Sequence, residues 1–210
     1  RALVRESALL KVGLVLVCGA CFLAVFGPII APHATERATS DVLQSPSWSH
    51  PFGTDGSGFD VFSRVIAAPR VDLSIAVVAT VMSVVVGSLV GLCASYFRGW
   101  LGESVMRASD TVQAFPLFVL AIIIVVFGRA QGSGSLRTYA NIVVVIVLLN
   151  IPIYLRLIGS QVVSLRERTF VEAARANGDS GISIAVRHVL PNAIAPGFAQ
   201  ASITLGHSII

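Results

Sequence analysis

Hydrophobic and polar positions alternate along this chain in long blocks rather than with a short period. Apolar blocks occupy residues 12–30, 73–97, 105–127, 140–155 and 193–210. A membrane-crossing helix needs about 20 mostly apolar residues. The pattern therefore predicts an all-α, polytopic transmembrane bundle with about five spans. Pro28 and Pro32 end the first block, and the Ala114-Phe115-Pro116 step should kink the third. The first block is too long for the apolar region of a signal peptide and has no small-residue cleavage site after it. Three segments follow: 1–32 with the first span, a polar extracytoplasmic loop over 33–70, and a core over 71–210 that carries a charged loop at 161–192. The chain opens on Arg1 and stops inside an apolar block, so residues are expected before and after it.

The polar island at 171–192 reads V-E-A-A-R-A-N-G-D-S-G-I-S-I-A-V-R-H-V-L-P-N. Glu172-Ala173-Ala174 starts a run of good helix formers. Gly178 and Gly181 suit a helix C-terminus and a turn. A second amphipathic run follows, with Ile182, Ile184, Ala185, Val189 and Leu190 apolar and Arg187 and His188 polar. Pro191-Asn192 should break it. Two short helices joined by a sharp turn are expected, lying at the membrane surface and able to dock on a partner. Glu172 sits where a negative charge favours a helix N-terminus, and it can also pair with an Arg of the same loop or of the partner.

Composition supports the membrane reading. The chain is 55% hydrophobic and 12% charged, about half the charge of a soluble domain, with a mean hydropathy of +0.83. Its net charge of +4 is almost all Arg, spread over the inter-helix loops, which speaks against a nucleic-acid patch. Lys11 is the lone lysine and lies outside any Gly-Lys-Ser/Thr motif, so a phosphate-binding P-loop is excluded. Cys18 and Cys21 have redox or half-zinc spacing, but they lie in an apolar helix without a partner and read as small buried residues. Asp55-x-x-Gly58-x-Asp60 offers too few oxygens for calcium. His33, His50, His188 and His207 are scattered and make no ligand set, so no metal is expected. Gly87 and Gly91 form a Gly-x-x-x-Gly pair that permits close helix packing. Arg107 and Asp110 are spaced to pair at the membrane interface. Gln200, Thr204, His207 and Ser208 share one helical face, which must meet protein or water. That face lines a translocation path or packs on a neighbouring helix.

The Glu172-Ala173-Ala174, Gly178, Leu190-Pro191 spacing resembles the EAA loop of ABC importer permeases, with His188 at a usually apolar position. The run His50-Pro51-Phe52-Gly53-Thr54-Asp55 through Gly58, Asp60, Ser63 and Arg64 is similar to the signature after the first span in the peptide (dipeptide, oligopeptide or nickel) subfamily. Phe59 stands where that subfamily usually has Arg. The chain looks like the second, C-type permease of the pair. The resemblance implies a sixth span beyond residue 210 and a coupling role for Glu172, Ala173, Ala174, Gly178, Arg187, His188, Leu190 and Pro191. It also implies no cofactor on this chain, with ATP and Mg on two partner ATPase subunits. The other implied partners are a second permease chain, an extracytoplasmic peptide-binding protein that loop 33–70 would contact, and lipid.

Placing the N-terminus in the cytoplasm puts Arg1, Arg5, Lys11, Arg98, Arg107, Arg156, Arg166, Arg168, Arg175 and Arg187 inside. Arg37, Arg64, Arg70, Arg129 and Arg137 fall outside. The positive-inside rule favours that orientation in a bacterial inner membrane. Nickel or another small solute is the alternative cargo, and a scaffold docking a non-ATPase partner is the alternative class. No nucleophile–base pair, metal cluster or paired intramembrane carboxylates speak for an enzyme.

Overall fold

The computed structural model describes residues 8–35, 37–97, 99–114, 116–130 and 135–209. Arg1, Arg5, Arg98, Phe115 and part of the expected 129–139 loop lie outside these. The helices are α1 (Ala8–Ile30), α2 (Val61–Tyr96), α3 (Trp100–Ala114), α4 (Leu117–Ala130), α5 (Ser135–Leu165), α6 (Thr169–Ala176), α7 (Gly181–Ile184), α8 (Leu190–Ala193) and α9 (Ala195–Ile209). Contacts divide the chain into a unit over residues 1–74 and a unit over residues 75–210. Among the described residues, α1, α2 and α5 are long and apolar enough to cross a membrane. The pair α3–α4 adds a fourth crossing if it is one span; Trp100–Ala114 and Val119–Val126 meet at 93°, and the expected kink step, through Phe115, lies outside the described residues. The last apolar block forms the 15-residue α9.

In the first unit, α1 presents bare apolar faces, and Cys18 and Cys21 are exposed on it. The expectation of buried cysteines fails because α1 is covered on one side only. Its buried residue is Gly27, where a Cβ would strike the backbone oxygen of Ile66. The loop that follows is tied down by its own backbone. Thr39 N donates to Gly58 O at 2.7 Å and Thr54 N to Gln44 O at 3.2 Å. Gly53 and Gly58 take φ of +73° and +81°, the left-handed region that glycine enters without strain. Asp55 Oδ1 accepts from the Ser57 and Phe59 amides, both at 2.9 Å. These bonds lead the interactions that hold its carboxyl below the ordinary 3.8, with Arg64 adding to them. Arg64 Nη1 binds Asp55 Oδ2 at 2.9 Å, and its guanidinium lies 4.9 Å from the centre of the Phe59 ring. Phe59 thus has its own use, as a face for Arg64.

Asp60 starts α2 by accepting from Ser63 N at 2.8 Å, as an N-cap does. That cap explains why α2 begins twelve positions before the apolar block at residue 73. Pro69 sits inside the helix. His33, His50 and Asp60 come together here, which corrects the reading of the histidines as scattered. Thirty residues separate His33 from Ser63, yet His33 N donates to Ser63 Oγ at 3.1 Å.

The core of the second unit is the crossing of α2 and α5. A Cβ on Gly87 would stand 2.6 Å from Tyr154 Cβ, and one on Gly91 2.7 Å from Leu155 O. The Gly-x-x-x-Gly pair is therefore the contact itself. Gly159 on α5 answers it, with Ser95 Oγ 2.6 Å from its would-be Cβ. The expected Arg107–Asp110 pair does not form. Arg107 bonds Glu103 at 2.7 Å, one turn back, while Asp110 pairs with Arg156 of α5. The i,i+4 partner and the tertiary partner outcompete an i,i+3 contact.

Candidate coupling site

The site is built where α5 ends. Arg166 is buried at 7% exposure, and its Nη1 donates to Ser95 O near the end of α2 at 3.1 Å. A buried guanidinium bonded to a carbonyl fixes the exit from α5. The sequence did not mark it, because one Arg among Arg166, Glu167 and Arg168 carries no sign of burial.

Helix α6 then turns its face inward. Val171 and Ala174 are buried, while Glu172, Ala173, Arg175 and Ala176 are exposed. Glu172 lies in the first turn, as expected. It forms no ion pair among the described residues, so the expected pairing with an Arg of the same loop is absent and its charge faces outward. The helix closes as a Schellman motif. Gly178 N donates to Arg175 O at 3.0 Å and Asp179 N to Ala174 O at 3.1 Å. Gly178 has φ +86°.

Ser180 caps α7, accepting from Ser183 N at 3.3 Å. Asp179 reaches across to His188 Nε2 at 3.6 Å, so His188 ties the second limb to the turn. Asn192 Nδ2 donates to His188 O at 2.7 Å. The expected break at Pro191-Asn192 does not occur. Residues Ala185–Val189 form a π-helical turn, and the helix runs through Pro191 to Ala193. Proline removes an N–H and crowds the carbonyl four residues back, and a π turn absorbs both effects. The break falls instead at Ile194, ahead of Pro196.

Two faces result. Inward, Val171, Ala174, Ile184, Ala185, Val189 and Ala193 form one cluster with Leu92 of α2 and Ile158 and Val162 of α5. Outward, Glu172, Ala173, Gly178, Arg187 and Pro191 are exposed together with Ile182 and Val186. Of the eight expected coupling positions, Ala174 and Leu190 face the core and serve packing.

The expected polar face on α9 divides. Thr204 is 1% exposed and accepts from Tyr154 Oη at 2.9 Å, so its hydroxyl is engaged in packing α9 on α5. Ser208 Oγ donates to Thr204 O at 2.8 Å, and His207 is exposed. Gln200 lines an open cleft of about 400 Å³ with Gln113, Ile153, Arg156 and Leu157.

A family described as "Binding-protein-dependent transport system inner membrane component" matches residues 83–210. The dipeptide transport system permease protein DppC of Alkalihalophilus pseudofirmus is 35% identical over 207 residues, 98% of this chain and 66% of that protein. The glutathione transport system permease protein GsiD of Pectobacterium atrosepticum is 34% identical over 167 residues, 80% of this chain and 53% of that protein. The Escherichia coli GsiD is 34% identical over 189 residues, 89% and 60% of the two chains. The chain thus spans roughly half to two thirds of the length of these curated relatives. The match covers α2 from Ser83 onward, the α2–α5 crossing and the whole docked loop, and the chain belongs to the family of inner-membrane components of binding-protein-dependent transport systems.

Proposed function

We propose that the chain is the membrane-spanning subunit of an ATP-binding-cassette importer for short peptides. It forms half of the translocation path, and its partners hydrolyse ATP. The observation that carries this is the two-faced loop over 166–193. Its inner face is one packed cluster with α2 and α5, and its outer face exposes Glu172, Arg175, Ile182, Val186 and Arg187. Closely packed interiors transmit displacement rather than absorb it. An ATPase subunit gripping the outer face would therefore move both long helices. The peptide class is supported by the dipeptide and glutathione relatives. The N-terminus would face the cytoplasm, with the loop on the same side. A second permease chain would complete the path, and an extracytoplasmic binding protein would deliver cargo near loop 33–60. Gln200 and Gln113, at the cleft beside the Asp110–Arg156 pair, are the proposed contacts for a polar cargo, and loss of uptake on Gln200→Leu checks that role.

The test is mass spectrometry of what co-purifies with the gently solubilised full-length protein, joined to cross-linking from Ile182→Cys. ATPase chains, a second permease and cross-links to the ATPase are expected. Recovery of the chain alone, under conditions that keep other membrane complexes intact, overturns the docking role.

A further inference from the structure

His33 follows α1, His50 lies in the loop and Asp60 caps α2. Their ligand atoms all fall within 4.8 Å of one another. His50 Nδ1 is 2.9 Å from Asp60 Oδ1, and His33 Nδ1 is 3.8 Å from Asp60 Oδ2. The two imidazoles stack, with ring centres 4.6 Å apart and planes at 28°. His50 and Asp60 are 5% and 3% exposed.

His50 is explained without any ligand, since its Nδ1–H can donate to Asp60. His33 is not. Its Nδ1 is buried and has no hydrogen-bond partner, though it faces a carboxylate. Protonated, that nitrogen stands too far from Asp60 Oδ2 for a hydrogen bond. Unprotonated, it turns a lone pair toward an anion. The frame around it is firm: His33 N binds Ser63 Oγ at 3.1 Å and Ser63 N binds Asp60 Oδ2 at 2.8 Å. A cation among the three groups satisfies all of them.

We propose that His33, His50 and Asp60 bind a divalent metal ion of the Zn²⁺ kind, which clips the segment after α1 to the first turn of α2. Two imidazoles and one carboxylate are a zinc donor set, with bonds of about 2.0–2.2 Å. Calcium and magnesium prefer all-oxygen shells. Neighbouring ligands around a tetrahedral ion with such bonds stand about 3.3–3.6 Å apart, between the His50–Asp60 and His33–Asp60 spacings. The ion replaces the His50 Nδ1 proton, which is released to solvent, and gives His33 Nδ1 its missing partner. His33 also lines a cleft of about 610 Å³ with Pro28, Pro32, Thr35 and Arg37, which provides an entry and room for a water as fourth ligand.

The full-length protein, purified with whatever partners it retains and stripped with EDTA, is titrated with Zn²⁺ against a chromogenic chelator. One tight equivalent per chain is expected. It should weaken by about tenfold or more in His33→Ala and Asp60→Asn, and persist in His188→Ala. His33→Ala keeps the His50–Asp60 bond, so loss of binding in that variant is not loss of the loop. Co²⁺ should give the visible absorption of a tetrahedral site in the native protein but not in His33→Ala. Exposed Cys18 and Cys21 set a background that His33→Ala leaves in place. Equal Zn²⁺ binding by the native protein and His33→Ala, or none by either, overturns the site.

Discussion

Gly178 offers the sharpest perturbation of the proposed coupling loop, because the structure separates its two possible reasons for being glycine. A Cβ there would meet nothing within 4 Å, so space is not the constraint within this chain. Its φ of +86° is. An L residue with a side chain costs about 1–2 kcal/mol in that region, and a β-branched one more. Asn is the residue that best tolerates it. If the turn must keep its shape to couple, 1–2 kcal/mol lowers the competent population by about five- to thirty-fold. The Schellman bonds from Gly178 and Asp179 would be strained first. The assay is peptide uptake and binding-protein-stimulated ATP hydrolysis by the complex in proteoliposomes. Gly178→Asn should keep most activity, Gly178→Ala should lose several-fold, and Gly178→Val should lose more than tenfold. All three should still insert and be recovered from membranes at normal levels, since the inner face of the loop is untouched. Normal uptake by Gly178→Val refutes the reasoning. Equal damage from Asn and Val also refutes it, since a partner surface that excludes any side chain would then be the cause, not φ.

Four further outcomes are expected. Gly91→Val places its Cβ against Leu155 O and should lower thermal stability in detergent by an amount like other overpacked cores, about 1–3 kcal/mol; Gly13→Ala, with nothing within 4 Å, should leave the melt unchanged. Arg166→Met leaves Ser95 O without its buried donor and should cost about 1–3 kcal/mol, read as a lower melting temperature together with weaker ATPase co-purification. Glu172→Lys reverses an exposed charge that no described partner holds, so uptake should fall with no shift in the melt; a shifted melt would mean that Glu172 is structural. Asp60 is pressed upward by burial but brought net below 3.8 by the bonds from Ser63 and His50. A lowered carboxyl stabilises the folded state above its unfolded value and loses that effect as pH falls through its folded value. In EDTA, the melting difference between native protein and Asp60→Asn should shrink as pH falls below about 4.

Much of this was open to a reader of the chain. Apolar blocks announce membrane helices because lipid admits little else, and Gly178 announces a left-handed C′ because few residues fit there. Gly87 and Gly91 marked the helix contact by spacing alone. What stayed hidden depends on partners far apart in sequence. The α9 face carrying Thr204 fits a path or helix packing equally by spacing, and the partner of its hydroxyl, Tyr154, lies fifty positions earlier. His33 and His50 looked scattered because a local pattern cannot show a loop returning to the cap of α2. Pro191 looked like a stop because its sequence neighbours do not reveal a π turn. The start of α2 was placed late because Arg64, Arg70 and Asp72 interrupt the apolar pattern without interrupting the helix.

The crossing of α2 over α5 has a mechanical corollary. Gly91 faces the backbone of Leu155 and Gly87 the Cβ of Tyr154, so little side-chain bulk separates the two helices at these positions. Under the proposed coupling role, Gly87 and Gly91 would serve as a bearing, and Leu92, Ile158 and Val162, packed on the loop, as the handle by which the loop turns it. If that proposal holds, a bulky residue on the bearing should seize the motion while leaving the handle gripped, so that the proposed ATPase partners stay bound while uptake stops.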